Sequence, residues 1–146
     1  MRKVGILVAG LGGVLSSGLW AAADKQTYKV IVNAANPETI ISTEQLSSIF
    51  LKNVTKWANG TPALPVDQSL TSPARVAFSK DVFDQPVVAI QAYWQEAIAQ
   101  GREGPPPVKA LQGEVTAFVA ANPGAIGYVS ADTILPGNTK VLRVTH

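Results

Sequence analysis

The residues of this chain best suited to holding a ligand gather in one short stretch: Ser69, Thr71, Ser72 and Arg75. Ser72 followed by Pro73 is a strong helix start, because proline's fixed φ suits the first helical position and the serine oxygen accepts from a free backbone N–H. A helix start presents unpaired N–H groups and the positive end of the helix dipole. With three hydroxyls and a guanidinium beside it, the segment has the parts of a small-anion site. The same residues would also serve an ordinary capped helix carrying a solvated arginine, and the sequence leaves both readings open. Catalytic chemistry finds less support. The single histidine, His146, is the last residue, and the chain has no cysteine. No HExxH pair, Gly-x-Ser-x-Gly elbow or carboxylate pair at helical spacing occurs, and neither Ser47 nor Ser79 is followed by a lysine three residues on. The expectation is a protein that binds rather than catalyses, with no catalytic residue, metal site or cofactor.

Alternating strand and helix signals must position that stretch. Residues 28–32 read as a strand with a buried centre, broken by the segment from Asn33 to Pro37. Ser42 with Gln45 makes a capping box for a short helix over residues 43–51, whose Leu46, Ile49 and Phe50 share one face. A turn over residues 58–61 leads to a second strand over 63–67, and the Ser72 helix then runs to about Val82. Asp84 and Pro86 open the longest helix, which stops at Gly101. Three consecutive prolines exclude helix or central strand from residues 101–108 and make them a surface connection. A helix over 113–121 and strands over 125–129 and 140–144 complete the pattern. The fold class is α/β: one lobe with a mixed sheet of about four strands flanked by helices. The Val30 and Ile126 strands share the sheet, with Phe50, Phe78, Trp94 and Phe118 in the core.

Residues 1–23 read as a signal peptide. Arg2 and Lys3 form a basic start, residues 4–19 carry no charge, and Ala21-Ala22-Ala23 ends the run, so cleavage before Asp24 is expected. The alternative, a membrane anchor, is disfavoured because the stretch is glycine-rich and short of the ~20 strongly apolar residues that span a bilayer. Removing the leader takes Arg2 and Lys3 out of the 12 basic residues and leaves all 10 acidic ones, so the domain over residues 24–146 is neutral. No nucleic-acid or membrane-surface partner follows from the basic pI of the whole chain. That domain is large enough for an ordinary core without disulfides.

Two segments together resemble a known family. Ile49 to Trp57 fits I-F-x-x-x-[IV]-x-x-W, and Asn122 to Ser130 reads NPGAIGYVS. In this order they resemble the second lobe of the phosphate-binding component of bacterial ABC transporters, a periplasmic binding protein type II-like domain. The resemblance covers roughly residues 30–144. It implies an oxyanion site in a segment of the form R-x-D-x-S-G-T-x-x-x-F. Anchored on Phe78, that pattern puts Ser72 at the family serine, Pro73 and Ala74 at the glycine and threonine, and Gln68 and Leu70 at the arginine and aspartate; Arg75 is new. Pro73 lacks an N–H and Gln68 lacks charge, so the affinity implied for phosphate or a related small anion is weak. The family clamps its ligand between two lobes, and this chain resembles its short, single-lobe relatives. The resemblance thus implies a periplasmic solute-binding domain that uses Ser69, Thr71, Ser72 and Arg75, in association with an ABC-type membrane transporter or a second lobe. The alternative is a ligand-free interaction or assembly module reusing the lobe, with Trp57 or Tyr93-Trp94 as its contact surface.

Overall fold

The computed structural model describes residues 27–146; the leader expected over residues 1–23 lies outside the described residues. Seven strands and four helices follow in the order β1 (Tyr28–Asn33), β2 (Ile40–Ser42), α1 (Thr43–Phe50), β3 (Leu64–Pro65), β4 (Asp67–Gln68), α2 (Pro73–Phe83), α3 (Val87–Ala99), β5 (Val108–Lys109), α4 (Gln112–Ala121), β6 (Ala125–Ser130) and β7 (Thr139–Thr145). The main sheet has five strands rather than about four, in the order β2-β7-β1-β6-β3, and β4 with β5 forms a separate two-stranded ribbon. β1 lies in the centre, antiparallel to β6 (Val30 opposite Tyr128, Val32 opposite Ile126) and to β7 (Val30 opposite Leu142). β2 and β3 join the two edges in parallel.

Period-two alternation sorts the strand side chains onto two faces. Tyr28, Val30, Val32, Ile126, Tyr128 and Leu142 face α1 and α2, where Leu46, Ile49, Phe50, Ala74, Phe78 and Val82 close the larger core. Its centre is aromatic. Phe78 stacks on Tyr128 at 4.0 Å between ring centroids, Phe50 tilts against Phe78 at 4.8 Å, and Tyr28 meets Phe78 edge-on at 5.5 Å. On the opposite face Ile31, Val66, Ala125 and Val129 pack against Val115 and Val119 of α4, with Phe118 half-buried beside them. α3 is an outer layer that buries Ile90, Trp94 and Ala97 against Leu51 and Phe83.

The local signals placed the helices well. The Ser42 and Gln45 capping box is formed in both directions, at 3.1 and 2.9 Å. Asp84, however, does not open α3. It caps the end of α2 with φ of 53°, a left-handed conformation that aspartate tolerates better than most residues, and α3 begins at Val87 after Pro86. The single strand expected over 63–67 serves two sheets. Val66 N–H donates to Ile126 O at 2.9 Å, while Asp67 N–H, pointing the other way, donates to Pro107 O at 2.8 Å. One extended run thereby ties the ribbon to the main sheet just before α2.

The two segments that carry the family resemblance meet in space. Trp57 is buried, and its indole N–H donates to Gly124 O at 2.9 Å; the same carbonyl accepts Leu64 N–H at 3.0 Å. Gly124 has no alternative here, because a Cβ at that position would lie 1.8 Å from the Pro62 carbonyl oxygen. Trp57 and Trp94 are core residues, so the aromatic contact surface expected for an interaction module is not exposed; only Tyr93 is half-buried, beneath the Arg102 guanidinium at 5.6 Å.

Candidate functional site

β4 delivers the chain to the corner where α2 begins. Ser72 caps the helix: its side chain accepts from Arg75 N–H at 3.4 Å, and Pro73 occupies the first turn. Ser69 and Thr71 stand beside it, their hydroxyls 3.2 Å apart, with Thr71 exposed and Ser69 half-buried. Ser72 N–H closes the turn onto Ser69 O at 3.0 Å. The three hydroxyl residues therefore come together.

Arg75 does not join them at the surface. It is only 5 % exposed, and its guanidinium turns inward, where Nη1 pairs with Asp67 Oδ1 at 3.0 Å and donates to Gln68 O at 2.7 Å. Its Nε is buried without a partner. The expected solvated or ligand-facing cation is thus an internal one, because the carboxylate buried at the start of β4 demands a counter-charge and Arg75 is in reach. The Tyr128 hydroxyl donates to the same Asp67 oxygen, and Gln68 N–H donates to it at 2.8 Å. Burial pushes the Asp67 carboxyl above its ordinary range, against the opposing pull of Arg75, the Tyr128 hydroxyl and Gln68 N–H. Burial, and then the facing Asp67 carboxylate, raise the Tyr128 phenol.

Gln68, at the position where the family resemblance places an arginine, is the hub of the corner. Buried to 2 % exposure, it accepts on Oε1 from Ser72 Oγ at 2.6 Å and from Gln112 Nε2 at 3.0 Å, and its own Nε2 donates to Tyr128 O at 2.6 Å. Gln112 is the first residue of α4, and its Oε1 accepts from Ser130 N–H at 2.9 Å. Two helix N-termini, those of α2 and α4, are therefore pinned to one neutral amide. Sequence reasoning missed Asp67, Gln112 and Tyr128. A signal existed for Asp67: an acid closing the apolar run from Ala63 to Val66 needs a partner. Gln112 gave none, since its role depends on contacts 44 residues away.

Chemically the corner offers hydroxyl groups beside a helix start, with the Arg75 guanidinium already paired to Asp67. Among the described residues no group of three or more His, Cys, Asp or Glu could hold a metal ion. Comparison with known proteins places the fold. The chain resembles an ABC-type phosphate transport receptor from Vibrio cholerae (19 % identity, 81 % of this chain and 46 % of that one, TM-score 0.63). It likewise resembles a putative phosphate ABC transporter substrate-binding protein with bound phosphate from Clostridium perfringens (20 %, 81 % and 44 %, TM-score 0.63). A possible phosphate binding protein from Planctomyces limnophilus is similar at 14 % identity, over 82 % of this chain and 41 % of that one, with a TM-score of 0.57. The chain spans less than half the length of each of these. No curated protein matches it. Residues 28–146, nearly everything the structure describes, match the PBP superfamily domain, and the chain belongs to that family.

Proposed function

We propose that this domain is the solute-recognition lobe of an exported, periplasmic binding protein, released by cleavage before Asp24, and that it holds phosphate or a related oxyanion weakly where α2 begins. The observation that carries the reading is the convergence of Ser69, Thr71 and Ser72 on a helix start pinned to Gln68. Likeness to proteins named as phosphate receptors supports the choice of anion. In this reading the Ser69 and Thr71 hydroxyls touch the ligand, Ser72 fixes the helix start through its bond to Gln68, and Arg75 acts from beneath, holding the Gln68 carbonyl and hence the turn. Weak affinity follows because Pro73 has no N–H to offer and the Arg75 charge is already matched by Asp67. Each missing charged hydrogen bond costs about 1.5–3 kcal/mol, so two of them weaken binding by several powers of ten relative to a complete site. An ABC-type membrane transporter, or a second lobe closing over the corner, is the partner this reading requires.

The competing reading, a ligand-free interaction or assembly module, draws its support from the same inward-turned Arg75. Titration with phosphate, sulfate and nitrate followed by thermal shift separates the two, since a ligand that binds only the folded state raises its apparent stability. The expected result is a rise in midpoint with millimolar phosphate, reduced in the Ser69→Ala/Thr71→Val variant. If no oxyanion moves the midpoint at any concentration tested, the recognition reading fails.

A further inference from the structure

We propose that the buried Arg75 and Asp67 pair gates the anion corner by proton uptake: anion affinity is low while the Asp67 carboxylate is ionised and rises when that carboxylate takes up a proton. The gate regulates the recognition site proposed above and rests on that reading.

Position gives the pair control of the corner. Arg75 stands in the first turn of α2, where its N–H binds the Ser72 cap, so its positive charge adds to that of the helix start. Its Nη1 donates to the Gln68 carbonyl at 2.7 Å, one peptide unit from Ser69. What cancels this charge is Asp67, 3.0 Å away in the sole ion pair among the described residues. The elements packed around the pair supply no second anion. β5 sets Val108 opposite Asp67 and Lys109 opposite Gln68, and the Lys109 ammonium lies 5.9 Å from the centre of the Phe118 ring. β6 brings Tyr128 and α4 the neutral Gln112, while Glu114 of α4 and Lys80 and Asp81 of α2 are exposed.

The proton has a place to sit. Arg75 Nη1, Gln68 N–H and the Tyr128 hydroxyl all bond to Asp67 Oδ1, and no described residue donates to Oδ2. A proton on Oδ2 therefore leaves those three bonds in place. Burial favours the neutral acid, so it forms at milder acidity than in an exposed aspartate. The guanidinium then carries an unmatched positive charge, with its Nε already buried without a partner. A facing opposite charge stabilises an ionised group by about tenfold to a thousandfold, and an anion at the corner gains from the same attraction. By linkage, anion binding and proton uptake strengthen each other by one common factor.

The test is a thermal-shift titration with sulfate in constant salt, in steps from about pH 7.5 to about pH 4. Sulfate keeps its double charge over this range, whereas phosphate gains a proton, so the change in affinity belongs to the protein. Binding about tenfold or more tighter at the acid end is expected. Asp67→Asn, which fixes the neutral state, should bind sulfate at the upper pH as tightly as wild type does at the lower one. Other carboxylates also lose charge over the range, and the Arg75→Met/Asp67→Leu pair, with the same surface and no buried charge, measures their share; it should bind weakly throughout. The Asp67 carboxyl carbon resonance should titrate at higher pH with sulfate present than without it. Wild-type affinity that is flat with pH, or that rises no more than in the double variant, would overturn the gate and leave the corner as a binding site. No response to sulfate at any pH would sink the gate and the recognition reading together.

Discussion

Replacing Gly124 with alanine isolates one close approach. Gly124 does not adopt a positive φ, so alanine's backbone preferences are not offended, and the substitution would by itself stabilise by about 0.4–1 kcal/mol through the unfolded chain. Sterics reverse the sign. The new Cβ would lie 1.8 Å from the Pro62 carbonyl oxygen and 3.2 Å from Thr61 Cγ2, and the obstacle is backbone, which does not swing aside like a side-chain tip. Restoring ordinary contact requires the two segments to part by more than about 1 Å. That parting breaks the 3.0 Å bond from Leu64 N–H and the 2.9 Å bond from the Trp57 indole, both received by the Gly124 carbonyl. Each lost bond removes about 1 kcal/mol, and a buried donor left unmatched adds about 1–3 kcal/mol more. The expected loss is about 3–5 kcal/mol, a large part of the 5–15 kcal/mol typical of a domain. Urea unfolding followed by far-UV circular dichroism measures it, with Gly127→Ala as a comparison. There the Cβ meets only side-chain methyls, those of Val66, Val115 and Val119 at 2.8, 2.9 and 3.5 Å, and overpacking of that kind costs about 1–3 kcal/mol. A Gly124→Ala loss below about 1 kcal/mol, or one smaller than that of Gly127→Ala, would refute the reasoning.

Three other outcomes follow from the same contacts. Arg75→Ala leaves the Asp67 carboxylate buried without its counter-charge and should cost about 3–5 kcal/mol in chemical unfolding, whereas an Arg75→Met/Asp67→Leu pair, which removes both charges, should recover most of that loss. Because burial holds the Asp67 carboxyl above its ordinary value of 3.8, the folded state binds this proton more tightly than the unfolded one. The Asp67 contribution is fully present below that value and is lost as pH rises through the raised one, so unfolding midpoints of wild type minus Asp67→Asn should decline from pH 4 upward; a difference that rises with pH would contradict this. Phe78→Ala removes the ring that stacks on Tyr128 and touches Phe50, Tyr28 and Phe83, and a loss of about 3–5 kcal/mol in thermal or urea unfolding is expected.

What the sequence made legible was local. The capping box at Ser42, the Ser-Pro start of α2 and the apolar runs of β1 and β6 depend on neighbours within a turn or a strand, and each was read close to its place. What it hid was decided by distant partners. β2 and β5 have three and two residues, too short for a periodic signal, and exist because β7 and β4 lie alongside them. The hydroxyls of the corner were visible as a cluster, but the direction of Arg75 was not. Its side chain follows Asp67, whose burial depends in turn on Tyr128, an aromatic supplied from 61 residues further on.

The sheet order carries a consequence for the history of each molecule. The first strand of the domain is the central one, and both its neighbours, β6 and β7, come after every other element in the domain's order. A ribosome working from the N-terminus therefore delivers β1, α1 and α2 well before anything exists to pair with β1 on either side. Until residues 125–145 emerge there is no sheet for the helices to cover, and loop closure across nearly the whole domain must precede the main core. Folding of such a domain waits on β6 and β7, so a chain cut before Ala125 would keep its helices without a sheet to cover.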